Sequence, residues 1–526
     1  KNQAFLKWLK TNNNNFLTWE QVKNKICLLT EYLKESLSNG DRCVLLSENR
    51  PEWLIADIAI MNAGGVTVPL FTTYSEKDYE HIINDCKPKI CIVSDDIQFK
   101  KIQKFISNNT RIISFENFNQ KIESIKNIFE NSKIEKNNIL NNYNHEISRR
   151  DLACIIYTSG TTGNPKGVML SHGGILSNCE GAREILESLT KDEHPVFLTW
   201  LPLSHSYEHT VQFVQISLSA KVYYAESLEK LLPNMTIAKP TIMTAVPRFY
   251  QNLYQKINAN FKKVSGFRKL LINKTIDLGT KRMNKIKLGI LDKIFNRILD
   301  LLVRKKIKRQ FGGYLKTFVS GGGALNSEVG LFLNSIGLPT LQGYGLTETS
   351  PVVSCNPIND IRISTVGPPF NQNQVKIADD GEILVKGENV MLGYWNNEIE
   401  TNKILINGWL YTGDIGKFEN NYLIITDRKK DILITPGGEN ISPSKVESEL
   451  TNSEFVEQAV VYGDNKPFLV ALIVPSEEKK LNFNKDFQKE LEKINKNLTK
   501  IEKIKKYFVI NEKFSIENGM LTPTLK

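Results

Sequence analysis

Between Tyr157 and Gly167 the chain reads YTSGTTGNPKG, with three glycines, four Ser/Thr hydroxyls and one lysine in eleven residues. Glycines such as Gly160 and Gly163 permit positive φ and let backbone approach a ligand closely. A run of unpaired N–H groups beside the hydroxyls of Thr158, Ser159, Thr161 and Thr162 makes a concave donor surface for phosphate oxygens. Lys166 adds a mobile point charge suited to a polyphosphate tail. A Gly/Ser-rich surface turn would share this composition, but not the apolar run Leu152–Ile156 just ahead of it. A Walker loop is excluded, because Pro165 precedes Lys166 and Gly167 stands where Ser or Thr is needed.

Three further stretches carry chemistry. His205, in LPLSHSYEHT, follows the apolar run 196–201, at a strand's carboxyl end where α/β sheets place ligands; a packed structural histidine is the alternative. TFVSGGGALN empties a strand into Gly321, Gly322 and Gly323. In LQGYGLTETS, Gly343 and Gly345 flank Tyr344 and present an aromatic face between two flexible joints. Thr347 and Glu348 then supply a hydroxyl and a carboxylate suited to a hard cation such as Mg²⁺.

The elements that must position these groups alternate between strand and helix. Phe16–Leu37 has helical apolar spacing, with Thr18 and Gln21 as a capping box. CVLLSENRPEWLIADIAIMNAGG (43–65) reads as strand, turn and helix, with Pro51 near the helix start. KPKICIVSDD (87–96) and KPTIMTAVPRFY (239–250) each supply a buried strand, and such alternation predicts a layer of parallel strands. From Gln374 the strands are short, with an Asp-Gly hairpin signal at 380–381. Residues 435–526 read as a β/α unit with helices at 443–451 and 485–505, joined at the charged link Asp427–Lys430. Asn131–His145, rich in Asn and Lys, reads as a linker or insertion.

At 526 residues the chain is long enough for at least two domains. No apolar run reaches the roughly 18–20 residues of a spanning helix, and KNQAFLKWLK lacks the apolar core of a secretory leader. Seven scattered cysteines without metal-site spacing predict free thiols in a reducing, cytoplasmic setting. The net charge of +11 is concentrated: Phe261–Gln310 holds 16 Lys/Arg against three acids, a local +13, leaving −2 for the rest. There Leu291, Ile294, Phe295, Ile298 and Leu302 share one helical stripe, with Lys293, Arg297, Arg304 and Lys305 off it. Such a segment fits an anionic membrane surface, at the inner face of a membrane, or a helix packed on the body with a solvated lysine face. Phe295 is the one aromatic from Arg268 to Gln310, so no stacking platform for nucleic acid exists there.

Four ordered motifs, YTSGTTGNPKG (157–167), GYGLTET (343–349), YTGD (411–414) and DRKKDILITPGGENISPSKVE (427–447), carry a resemblance to the acyl-adenylate-forming superfamily. That superfamily comprises acyl-CoA synthetases, adenylation domains and luciferase-like enzymes. LTPTLK (521–526) is similar to the form in which long-chain fatty acid–CoA ligases carry their C-terminal catalytic lysine, and the resemblance spans about Phe16–Lys526. It implies an α/β fold: a large N-terminal domain of parallel and mixed sheets with a β-rich subdomain (1–427), and a small mobile α+β C-terminal domain (428–526).

The resemblance also implies roles. The β and γ phosphates of ATP sit in the loop Thr158, Ser159, Gly160, Thr161, Thr162, Gly163 and Lys166. Mg²⁺ bridges them to Thr158 and Glu348. Tyr344, followed by Gly345 and Thr347, stacks on adenine against the Gly321–Gly323 backbone, and Asp414 accepts the ribose hydroxyls. Arg428 reaches the ribose or phosphate, His205 borders the carboxylate, and Lys526 is the catalytic charge. The small domain turns about Lys430, bringing Gly437 and Gly438 to the pantetheine arm of coenzyme A. A chain ending at Lys526 would set its own carboxylate beside that ammonium, so the natural protein is expected to continue further. The reaction implied is ligation of a fatty acid to coenzyme A through an acyl-adenylate, with pyrophosphate and AMP released. Transfer of the acyl group to a carrier protein, or binding without catalysis, are the alternatives. The acyl tunnel is expected between segment 200–250 and the strands of 317–345.

Overall fold

The apolar run ahead of the loop, LACIIYT, forms the strand Leu152–Thr158, buried except at its two ends. The computed structural model describes residues 2–10, 16–131, 147–158, 164–190, 194–515 and 518–521. The strand lies in an eight-stranded sheet beside Val66–Leu70, Arg42–Leu46, Ile90–Val93, Arg111–Ser114 and Glu123–Ser124, all parallel. The chain then doubles back as Lys166–Ser171, antiparallel, with Lys166 paired to Thr158. The loop's lysine and its first threonine thus face each other across the sheet edge.

A second eight-stranded sheet runs Val352–Cys355, Thr340–Gly345, Thr317–Ser320, Ile242–Ala245, Val196–Thr199, Lys221–Tyr224, Ala4–Trp8 and Leu17–Thr18. Its interior pairs are parallel and its two ends antiparallel. Both sheets read in sequence as short apolar runs because helices cover both faces, the usual burial of parallel strands. The largest core cluster joins the sheets through Leu45, Cys154, Val168, Phe197 and Val222. The predicted capping box is present: Thr18 Oγ1 accepts from the Gln21 N–H, and the Gln21 amide oxygen from the Thr18 N–H. Pro51 stands in the first turn of Pro51–Asn62.

The β-rich subdomain is a five-stranded antiparallel sheet. Its hairpin Gln374–Ile377/Glu382–Lys386 turns at Asp380-Gly381, where Gly381 has φ +85°. The strand Tyr422–Arg428 ends this unit, so Arg428 belongs to the sheet and the link begins after it. Beyond lie a three-stranded sheet (Val456–Tyr462, Leu469–Pro475, Ile504–Val509) and helices Pro443–Thr451 and Phe483–Asn497, with a core of their own. Polar contacts join this unit to the body, such as Asn326 to Ser448 and Lys262 to Glu454. The fold is α/β, with a large N-terminal domain, a β-rich subdomain and a smaller C-terminal domain.

Three sequence expectations need correction, and one strand was not foreseen. The helix expected over 485–505 stops at Asn497, and Ile504–Val509 pairs with Leu469–Pro475 as a parallel strand. Ala4–Trp8, with no expectation attached, is a strand beside Lys221–Tyr224. Arg304, read as part of the cationic face, is 4% exposed and bonds the carbonyls of Ser335 and Thr275. The reading of 290–302 as a helix packed by its apolar stripe fails, because that stripe faces solvent. The linker 131–145 lies outside the described residues from 132 onward. All seven cysteines are unpaired and buried. No helix among the described residues is long and apolar enough to cross a membrane.

Candidate active site

A cavity of about 950 Å³ opens where the carboxyl ends of the two large sheets, the β-rich subdomain and the link to the C-terminal unit meet. Thr158, Lys166, His205, Gly321, Gly322, Tyr344, Gly345, Thr347, Glu348, Arg428 and Lys430 all line it. The sequence scatters these residues over more than half the chain, and the fold gathers them.

Behind two of these lining residues, Tyr344 and Arg428, a carboxylate is enclosed that does not itself line the cavity. Asp414 is 4% exposed, and a charge so buried requires partners. The Tyr344 hydroxyl donates to its Oδ2 at 2.7 Å, and Arg428 Nε meets its Oδ1 at 3.0 Å. Asp414 and Arg428 are register partners across Trp409–Glu419 and Tyr422–Arg428, so the backbone ladder itself sets that pair. Burial and the adjoining Asp414 charge push the Tyr344 phenol well above its usual range, which keeps it a donor. Tyr344 sits just before a bulge in Thr340–Gly345. At Gly345 a Cβ would fall 1.8 Å from the Pro351 carbonyl oxygen, so only glycine fits beside the tyrosine.

A second cluster surrounds Glu348, in the single turn Thr347–Thr349. The Tyr394 hydroxyl donates to Glu348 Oε1 at 2.8 Å, and Lys166 Nζ lies 5.3 Å from the Tyr394 ring centre. Lys166 also forms an ion pair with Glu400, in the helix Glu398–Ile404, holding the Glu400 carboxyl down to about 2. Thr347 Oγ1 lies 3.1 Å from Ser206 Oγ. His205 caps the helix Ser206–Ser217, its Nδ1 accepting from the Tyr207 N–H at 3.1 Å, with its ring edge-on to Phe71. The histidine is therefore both a structural cap and a wall of the cavity.

The donor set fits Mg²⁺. Thr158 and Glu348 offer hard oxygens to one cavity, and Tyr394 orients the carboxylate. No group of three or more His, Cys, Asp or Glu among the described residues forms a cage. One or two protein oxygens, completed by substrate phosphate, is the usual way this ion is held.

Some expected residues do not join the cavity. Gly323 lies near Pro247. Gly437 and Gly438 sit in the exposed turn between Leu433–Ile434 and Asn440–Ile441. Ser159, Gly160, Thr161, Thr162, Gly163 and Lys526 lie outside the described residues. Conversely, Tyr394 and Glu400 carried no signal in the sequence, and Lys429, though inside the motif 427–447, was given no role. Lys429 ties the link to the Asp380-Gly381 hairpin through Asp380 and Glu382 at 2.6 and 2.9 Å. Each of these contacts spans 46 or more positions, so no local pattern points to it.

Away from Asp414 the cavity turns apolar. Val211, Val214, Ile242, Val319 and Leu341 form walls where the acyl tunnel was expected. A further wall comes from Ala182, Ile185 and Leu186 of the helix His172–Thr190, which no sequence feature singled out. The helix lies against Phe370 at Gly181, where a Cβ would approach that ring to 2.1 Å.

Residues 2–395 match the model of the AMP-binding enzyme family, and residues 430–517 match the AMP-binding enzyme C-terminal domain. This chain belongs to the AMP-binding enzyme family. Long-chain-fatty-acid–CoA ligase FadD15 of Mycobacterium bovis is 31% identical over 514 residues, 93% of this chain and 85% of that protein. Long-chain-fatty-acid–CoA ligase 5 of Rattus norvegicus is also 31% identical, over 97% and 81% of the two chains. Among solved structures, an ATP-bound RpMatB-BxBclM chimera superposes with a TM-score of 0.74 at 23% identity, covering 97% of this chain and 92% of that one. The o-succinylbenzoate CoA synthetase of Bacillus subtilis, bound to its acyl-adenylate, gives 0.70 at 22%, with the same coverage. These structural likenesses establish the fold of this AMP-binding enzyme, while its family rests on the sequence matches.

Proposed function

We propose that this AMP-binding enzyme ligates a long-chain fatty acid to coenzyme A through an acyl-adenylate. The observation that carries the reading is one cavity lined both by Tyr344 and Arg428, which hold the buried Asp414 behind them, and by the apolar Ile185, Leu186 and Val214. The curated relatives named as long-chain-fatty-acid–CoA ligases support the same substrate class.

In the first half-reaction a carboxylate oxygen of the acid attacks the α-phosphorus of ATP. The bond from that phosphorus to the bridging oxygen breaks, and pyrophosphate leaves. Asp414 accepts the ribose hydroxyls, Tyr344 lies along adenine against Gly321–Gly322, and Lys166 meets the departing phosphates. Thr158 and Glu348 would hold Mg²⁺, which when bound would supply positive charge against the phosphates. Lys526 supplies positive charge near the α-phosphate, and His205 borders the carboxylate. Charge placed in advance where it develops is the main source of catalysis in such a step. In the second half-reaction the coenzyme A thiol, losing its proton, attacks the acyl carbonyl, and AMP leaves. The small domain turns at Lys430 between the two halves, bringing Gly437 and Gly438 toward the pantetheine arm; its polar contacts with the body suit such motion.

Transfer to a carrier protein is the second reading. Incubation with ATP, palmitate and coenzyme A separates the two: an acyl-CoA product supports ligation, and AMP release without thioester refutes it. We place the enzyme in the cytoplasm, a reducing compartment that suits seven unpaired thiols.

A further inference from the structure

The segment with the excess of lysine and arginine folds as the helix Gly266–Met283, the helix Ile290–Leu299, a π-helical turn Asp300–Arg304 and a final helical turn Lys305–Arg309. The second helix is attached the wrong way round for a soluble protein. Its polar side faces the body: Asp292 pairs with Lys274 of the preceding helix at 3.0 Å, while Asn296 and Asp300 accept from buried Arg304 at 2.9 and 2.7 Å. Arg304 in turn bonds the carbonyls of Thr275 and Ser335, and Gly279 packs directly on the Ser335 backbone. These bonds fix the helix with its apolar side outward. Ile290, Leu291, Ile294 and Leu301 are 79%, 75%, 53% and 67% exposed, and Phe295 and Ile298 continue the stripe. In the neighbouring helix Phe267 and Leu270 are exposed as well.

Soluble monomers rarely present so contiguous an apolar surface without a partner for it. Lys293 and Arg297 border the stripe on the helix, and Arg268, Lys269, Lys305 and Lys306 are exposed nearby in sequence. None of the six has a counter-ion among the described residues.

We propose that this face docks on an anionic lipid bilayer, with Ile294, Phe295 and Ile298 in the acyl boundary and the basic rim on the headgroups. Two copies placed stripe to stripe would set one basic rim, part of a local +13, against another. A bilayer carrying negative headgroups offers hydrocarbon to the stripe and countercharge to the rim together, the arrangement of interfacial amphipathic helices. The inference rests on this surface and not on the reading of the cavity. It bears on that reading because a long-chain acid partitions into the same bilayer.

The test is flotation of the full chain with vesicles of phosphatidylcholine alone and with phosphatidylglycerol added, in the absence of ATP and acid. Flotation with the anionic vesicles that weakens as salt is raised is expected. The pair Lys293→Gln and Arg297→Gln should lower the partition coefficient roughly 30-fold. Ile294→Glu with Phe295→Glu should abolish flotation, whereas Leu481→Glu, fully exposed in another unit, should not change it. Unchanged activity of the variants on octanoate shows that they are folded. Equal flotation with neutral vesicles, or flotation indifferent to Ile294→Glu with Phe295→Glu, overturns the proposal. So does a dimer lost in that variant without vesicle binding by the parent, which would make a second copy the occupant.

Discussion

Lys166 and Glu400, separated by 234 positions, form an ion pair that holds the lysine against the helix Glu398–Ile404. Glu400 also pairs with Lys403. A lysine that is to meet the phosphates must first leave this carboxylate, so the pair competes with substrate. Both side chains are partly exposed, and solvent-screened pairs of this kind are weak enough for a substrate to displace. Glu400→Gln should therefore lower the KM for ATP by up to about fivefold, read by ATP titration at saturating acid. A raised KM would mean that Glu400 positions the lysine instead.

The same pair has a pH signature. The Glu400 carboxyl is held down to about 2, first by the hydrogen bond from Lys166 and then by that from Lys403. A carboxyl whose folded value is depressed contributes stability above its unfolded value near 4.5, and loses it as pH falls toward 2. Parent and Glu400→Gln should thus converge in thermal stability across that window. A gap that stays constant contradicts the assignment.

Asp414 holds Tyr344 and Arg428 as well as, in our reading, the ribose. Loss of a hydrogen bond to a charged group costs about 1.5–3 kcal/mol. Asp414→Ala should accordingly lower kcat/KM for ATP by roughly 10- to 150-fold, with a smaller effect on KM for the acid. Equal loss toward both substrates would make Asp414 a fold residue only.

Much of this architecture is legible in the sequence where the determining contacts are local. The Thr18–Gln21 box, Pro51 in its first turn, the Asp380-Gly381 turn and the strand 152–158 are each specified by residues within a few positions. Helix 443–451 is found with its expected bounds. What was not legible depends on partners far away. Ala4–Trp8 becomes a strand because Lys221–Tyr224 is there to receive it. Amphipathic spacing identified the stripe from Leu291 to Leu302, but not which way it points, which Asp292, Asn296 and Arg304 decide. Four local motifs located much of the site, whereas Tyr394 and Glu400 surfaced only with the tertiary contacts.

A buried carboxyl behind the cavity wall gives a further test. Glu208, fully buried on Ser206–Ser217, accepts from Thr244 Oγ1 at 2.8 Å while its Oε1 has no partner among the described residues. Burial raises its carboxyl from 4.5 to about 7. Folding therefore favours the protonated form: that stability is full below about 4.5 and falls away as pH rises to about 7. A shift of this size corresponds to about 3 kcal/mol. Glu208→Gln should flatten the pH dependence of unfolding between those values, and an unaltered profile would refute the elevated value.

Ala182 lies on the apolar wall. Ala182→Trp should occlude that side and lower kcat/KM for palmitate at least roughly tenfold more than for octanoate, since each methylene displaced from an apolar pocket is worth about 1–3 kcal/mol. Equal effects on the two acids would place the chain elsewhere.

The central claim is that a carboxylate oxygen of the acid attacks the α-phosphorus. Palmitate labelled with ¹⁸O in its carboxylate, converted with ATP and coenzyme A, tests it directly by mass spectrometry of the products. Attack on the α-phosphorus makes one labelled oxygen the bridge of the acyl-adenylate, and thioester formation then leaves it on AMP. One ¹⁸O in each AMP, with unlabelled pyrophosphate, is the predicted result. Label in inorganic phosphate with ADP as the nucleotide product, or AMP free of label, would contradict it.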